Sequence, residues 1–148
     1  MSIFDSLKEG RVSSSAEETA KIAHEVASSL PKNTILALQG DLGAGKTTFV
    51  KALAKAWKIN QTVKSPTFNL VSMYEGSRQL VHVDAYRLQS PEAVEGLMLD
   101  EFLNEPYCLV IEWPERIEDW IPADSYWLRI EITSPEERVI KLVSTKDR

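Results

Sequence analysis

"GDLGAGKT", residues 40–47, decides how the rest of this chain is read. It matches G-x-x-x-x-G-K-[ST] in full and lies between an apolar run, "TILALQ" (34–39), and an amphipathic one, "KTTFVKALAKAW" (46–57). A strand, a glycine-rich loop and a helix in that order make a phosphate-binding loop. Gly40, Gly43 and Gly45 permit the tight turn that aims successive backbone N–H groups at phosphate oxygens. The helix starting at Lys46 adds the partial positive charge of its N-terminus. Lys46 reaches the β- and γ-phosphates, and the Thr47 hydroxyl binds Mg²⁺. The expected nucleotide contacts are therefore Asp41, Leu42, Gly43, Ala44, Gly45, Lys46, Thr47 and Thr48.

Such a loop needs an acid from a neighbouring strand to hold the metal or its waters. Two residues qualify. Asp84 follows "LVHV" and Glu112 follows "CLVI", each at the end of an apolar strand-like run. One acid can bind the metal while the other holds a metal-bound or attacking water, and spacing does not say which does which. The bland reading of either is a carboxylate capping a neighbouring helix. "KSPTF" (64–68) lies where switch loops sense a γ-phosphate through Ser or Thr, so Ser65 and Thr67 are candidates, with an ordinary turn as the equal alternative. Trp113 follows Glu112 and lies near the nucleotide or packs in the core. His82, between Val81 and Val83, reads as a satisfied sheet histidine, and Cys108 as a small core residue.

Working outward, "SSSAEETAKIAHEVASSLP" (13–31) reads as a helix with a Ser15–Glu18 capping box, an apolar face of Ala20, Ala23, Val26, Ala27 and Leu30, and a stop at Pro31. "FNLVSMYE" and "QLVHVDAY" flank Gly76-Ser77-Arg78 as a hairpin. A helix is expected from Pro91 to Leu103, a buried strand at "YCLVIEW" (107–113), and two final strands at "SYWLRIEIT" and "RVIKLVST". The fold class expected is α/β, a three-layer P-loop NTPase-like sandwich with a mixed central sheet and an antiparallel hairpin.

The bulk properties set limits. The 148 residues fit one domain, 1–148, with 43% hydrophobic and 26% charged residues, which is globular. A net charge of −5 argues against a stand-alone grip on DNA or RNA. Lys51, Lys55, Lys58 and Lys64 form either a solvated face or a docking surface for an acidic partner or a phosphate backbone. There is no run of 18 apolar residues, "MSIFDSLKEG" lacks the apolar core of a secretory signal, and the single Cys108 fits a reducing cytoplasm.

"GDLGAGKTTF", "VKSPTFNLV", "HVDAYRL" and "VIEWPE", in this order and spacing, closely resemble the TsaE (YjeE) family, from about Ser14 to the final strand. The resemblance implies a cytoplasmic ATPase required for threonylcarbamoyladenosine synthesis in tRNA. It would bind ATP with Mg²⁺, hydrolyse slowly alone, and reset a TsaB–TsaD complex, meeting tRNA only indirectly. It further implies Thr47 and Glu112 as metal ligands, Asp84 as the supporting acid acting through water, Lys46 with both acids as the reactive set, and "SPTF" as the switch-like loop. Tyr86 and Arg87 would lie by the partner-facing side, and the base would meet the segment near Ser15 and Ala16. Two departures stand out: Val83 and Ala85 vary apolar positions, and the family commonly has Gly where this chain has Met98. The rival is a small P-loop kinase acting on a small-molecule hydroxyl. Such a kinase needs an arginine-bearing lid, whereas Arg116, Arg129 and Arg138 are scattered along this sequence.

Overall fold

A computed structural model describes residues 2–63, 70–88 and 90–144. In chain order these form α1 (Ile3–Glu9), β1 (Arg11–Ser13), α2 (Ala16–Ser29), β2 (Thr34–Gln39), α3 (Lys46–Ala56), β3 (Val71–Tyr74), β4 (Gln79–Asp84), α4 (Pro91–Glu95), β5 (Tyr107–Glu112), β6 (Tyr126–Ser134) and β7 (Glu137–Leu142). Short 3-10 helices cover Ala85–Arg87, Leu99–Glu101 and Pro114–Trp120.

The strands make one seven-stranded sheet ordered β1-β7-β6-β2-β5-β4-β3. Its centre, β6, β2, β5 and β4, is parallel, and antiparallel strands close both edges. Alternation along the strands divides the core in two. Leu36, Leu38, Leu80, Cys108, Val110 and Leu128 face α1, α2 and α3. Ala37, Val81, Val83, Leu109, Ile111 and Trp127 face α4 and the 3-10 segments. This is the mixed three-layer α/β sandwich expected from the sequence, with Val83 and Ala85 fully buried.

Helix α2 keeps its Ser15 cap, which accepts from the Glu18 N–H at 3.1 Å, but Glu18 answers to the Ser14 N–H at 2.8 Å rather than to that of Ser15. Its buried face is Thr19, Ile22, Ala23, Val26 and Ala27, with Ala20 only partly covered. The continuous helix expected over 91–103 does not form. It stops at Glu95, and Met98 takes the left-handed conformation (φ 53°, ψ 47°) before the next 3-10 turn. The reason lies in Val94 and Leu99, both buried. In an unbroken helix, positions five apart point about 140° away from each other, so only a break lets both enter the same core. Gly96, a poor helix former, makes that break cheap.

The sequence reading also missed α1 and β1. The signal for α1 was present: Ser2 and Asp5 form a reciprocal capping box, and Leu7 is fully buried. Strand β1 has three residues, too few for a periodicity, and exists because β7 pairs with it. Among the described residues no helix is long and apolar enough to cross a membrane.

Candidate nucleotide site

In an open parallel sheet, ligands bind beyond the carboxyl ends of the strands. Because β2, β5 and β4 run the same way, their carboxyl ends place Gly40, Glu112 and Asp84 along one edge of the sheet. Asp84 and Glu112 are direct register partners. The even-numbered positions of β4 and β5 face α3, so both carboxylates lie on the side of the phosphate-binding loop.

The loop is built as its glycines require. Gly43 (φ +81°) and Gly45 (φ +107°) occupy the left-handed half of conformational space with open space where a Cβ would stand. Gly40 matters for a different reason: a Cβ there would come within 2.9 Å of the Ile130 carbonyl on β6. Gly45 is the N-cap of α3 and has no side chain to satisfy the first-turn amides, which leaves that end of the helix to an anion.

Lys46 is 6% exposed. Its Nζ donates to the Gly40 carbonyl at 2.5 Å and lies 3.9 Å above the Trp113 ring. Desolvation pulls its pKa below the ordinary lysine value, opposed by the charges of Glu112, Glu115, Asp84 and Asp41. The ammonium is thus held inside the loop by a carbonyl and an aromatic face, both weaker partners than a phosphate. Trp113 in turn packs on Tyr86 (centroids 5.1 Å apart), and the Arg116 guanidinium lies 4.9 Å over the Tyr86 ring. Two packed rings with a cation on each outer face run from the buried lysine to the half-exposed Tyr86 and Arg116.

The two acids differ. Asp84 accepts the Tyr86 N–H at 3.0 Å and caps the 3-10 turn that follows, so the bland reading of this residue is realised alongside its place in the cavity. Glu112 is buried, and its Oε2 lies 2.6 Å from His82 Nε2. His82 is the buried sheet histidine expected from the sequence, but its partner is one of the two acids, a pairing that no local signal announces. Leu42, Gly43, Gly45, Lys46, Thr47, Thr48, Asp84, Glu112 and Trp113 line one cavity of about 400 Å³. A hydroxyl and one or two carboxylates, completed by phosphate and water, suit Mg²⁺. Among the described residues no group of three His, Cys, Asp or Glu side chains could hold a metal alone, so the remainder of a shell here would come from phosphate oxygens and water.

A second cavity, about 300 Å³, lies on the other side of the loop and is lined by Ser14, Ser15, Ala16, Thr19, Gly43, Ala44, Gly45, Thr48, Pro135, Glu136 and Arg138. Ser15 and Ala16 thus adjoin the loop, and the turn between β6 and β7 supplies a wall that the sequence reading did not foresee. Two of the three arginines that look scattered in sequence border the site: Arg116 stacks on Tyr86, and Arg138 binds the loop itself, while Arg129 donates to Gln39 at the end of β2. Tyr86 and Arg87 are exposed beside this edge. Lys51, Lys55 and Lys58 form an exposed stretch on and just beyond α3. Ser65, Thr67 and Lys64 lie outside the described residues.

Comparison with known proteins shows a family and a fold likeness. Residues 13–140 match the family described as Threonylcarbamoyl adenosine biosynthesis protein TsaE. The tRNA threonylcarbamoyladenosine biosynthesis protein TsaE of Aquifex aeolicus is 43% identical over 131 residues, covering 86% of this chain and 90% of that protein. Its Bacillus subtilis counterpart is 36% identical over 133 residues, covering 89% and 83%. The crystal structure of Bacillus subtilis YdiB superposes with a TM-score of 0.75 at 34% identity, covering 91% of this chain and 84% of that one.

Proposed function

The chain belongs to the TsaE family, and from that premise we propose that it binds and hydrolyses ATP with Mg²⁺ to reset a TsaB–TsaD complex in tRNA threonylcarbamoyladenosine biosynthesis. The observation that carries this reading is the shared cavity, in which the loop amides, Lys46, Thr47, Asp84 and Glu112 converge. The amides of Gly43 to Thr48 would cradle the phosphates, and Lys46 would leave the Gly40 carbonyl for the terminal phosphates. Thr47 and Glu112 would hold Mg²⁺, with Asp84 placed across from Glu112 to hold one of its waters. When bound, the metal supplies charge neutralisation between the phosphates. Ser15 and Ala16 would meet the nucleoside in the second cavity. A net charge of −5 favours an indirect relation to tRNA, through the protein partners.

The test is steady-state ADP production by the purified protein, alone and with TsaB–TsaD. Slow turnover that rises with the pair is the expected result. Turnover indifferent to the pair, but stimulated by a small hydroxylated metabolite, would replace this reading with a small-molecule kinase.

A further inference from the structure

Arg138 stands at the start of β7, more than ninety positions downstream of the phosphate-binding loop, and is half-buried. Its guanidinium bridges two parts of the fold. Nε donates to the Ala44 carbonyl at 3.2 Å and Nη2 to the Gly43 carbonyl at 3.1 Å. Nη1 donates to the carbonyls of Ser134 (3.0 Å), Pro135 (3.3 Å) and Glu137 (3.1 Å). Among the described residues no carboxylate lies within ion-pair distance of it. An arginine that spends its donors on carbonyls keeps its whole positive charge at the place it braces.

The consequence follows from peptide geometry. In a trans peptide the C=O and the next N–H point in opposite directions. The Ala44 carbonyl and the Gly45 N–H share one such unit, and the Gly43 carbonyl shares another with the Ala44 N–H. Holding both carbonyls on the β7 side turns the Gly45 N–H to the opposite side, towards the cavity lined by Gly45, Lys46 and Thr47. It also fixes the Ala44 N–H, which in this structure closes a turn on the Asp41 carbonyl at 3.0 Å. A charged donor on the carbonyl further polarises the peptide, making its N–H a better donor to an anion. Gly43 and Gly45 need this bracing, because glycines at positive φ hold no conformation by themselves.

We propose that Arg138 is a positioning residue for the phosphate cradle: it sets two consecutive peptide planes of the loop so that the Ala44 N–H closes the turn on Asp41 and the Gly45 N–H is left to meet the polyphosphate, and it couples the loop to the β6–β7 turn. This rests on the nucleotide-binding reading above. Lysine cannot replace it, since a point charge with a single nitrogen does not bridge two carbonyls and a hairpin turn at once.

The test uses two ligands, ATP and inorganic tripolyphosphate, titrated calorimetrically into the full chain and into Arg138→Ala and Arg138→Lys. Circular dichroism and thermal melts establish that the variants fold. Loss of charge-assisted hydrogen bonds to the loop is expected to weaken both ligands in parallel, by about 10- to 100-fold, with lysine giving little rescue. A parallel drop in tripolyphosphate affinity isolates the cradle, because that ligand has no nucleoside to touch the second cavity. If ATP weakens while tripolyphosphate does not, Arg138 contacts the nucleoside and the positioning role is overturned. Unchanged affinity for both ligands overturns it as well. Failure of the unaltered chain to bind ATP would instead sink the nucleotide-binding reading. If neither variant folds, the Gly45 amide signal of the unaltered chain, followed by NMR during tripolyphosphate titration, carries the test. A large downfield shift supports the proposal, and an unmoved signal overturns it.

Discussion

His82 Nε2 lies 2.6 Å from Glu112 Oε2, with both residues buried and set diagonally across the β4–β5 pair. Among the described residues His82 Nδ1 meets no partner. The hydrogen-bond pattern therefore assigns the proton to Nε2, which donates to the carboxylate. One oxygen of Glu112 is held by the histidine, which limits the ways the side chain can turn.

Removing that donor leaves a buried carboxylate short of a partner. His82→Phe is expected to cost about 1–3 kcal/mol of stability, measured by urea denaturation. Because the two groups share one interaction, a double-mutant cycle with Glu112→Leu is expected to show the pair costing less than the sum of the singles. Additive costs would mean that the short contact contributes nothing to folding.

The buried ammonium proposed to bind phosphate, that of Lys46, is held at the expense of stability. Burial lowers its pKa, so below the folded-state pKa the chain bears the cost of a desolvated ammonium. As pH rises towards the unfolded value near 10.5, the folded form sheds its proton first and that cost disappears. Lys46→Met is expected to abolish ATP binding while raising Tm at neutral pH. The gain should shrink as pH approaches that of a free lysine. A Tm difference that stays flat with pH would refute the burial argument.

The cap that Asp84 makes and the acid role proposed for it can be separated by chemistry. Asp84→Ala removes both the acid and the cap on Tyr86 N–H, at a cost of about 1 kcal/mol for the cap. Asp84→Ser keeps a capping oxygen and loses the carboxylate. Mg²⁺-dependent ADP production is expected to fall in both variants, while denaturation midpoints fall only in the alanine variant. Normal turnover in the serine variant would reduce Asp84 to a cap. In parallel, Glu112→Ala is expected to lose Mg²⁺-dependent turnover more than Mg²⁺-free nucleotide binding.

Met98 holds a left-handed conformation that suits glycine. For an ordinary L-residue that conformation costs about 1–2 kcal/mol, while glycine pays roughly 0.5–1 kcal/mol in unfolded-state entropy. Met98→Gly should therefore be neutral to slightly stabilising. Met98→Val, branched at Cβ, should lower stability by at least about 1 kcal/mol. Equal melting of all three forms would show that the strain at this residue is relaxed in solution.

Local chemistry determined much of this protein. The phosphate-binding loop, its flanking strand and helix, the hairpin around Gly76 and the two acids at strand ends all depend on neighbours in sequence. Glycines, capping residues and period-two apolar runs therefore announce them directly. The family is legible for the same reason, since its four motifs are short and contiguous. What the tertiary structure decided involves long separations or shared space. Val94 and Leu99 both had to enter one core, and that demand broke a helix which local propensity favoured. Arg138 meets Gly43 and Ala44 only because β6 lies beside β2 and turns back into β7. His82 meets Glu112 only through the register of β4 and β5. Strand pairing, unlike a helix or a loop, joins residues whose separation along the chain carries no trace of their contact.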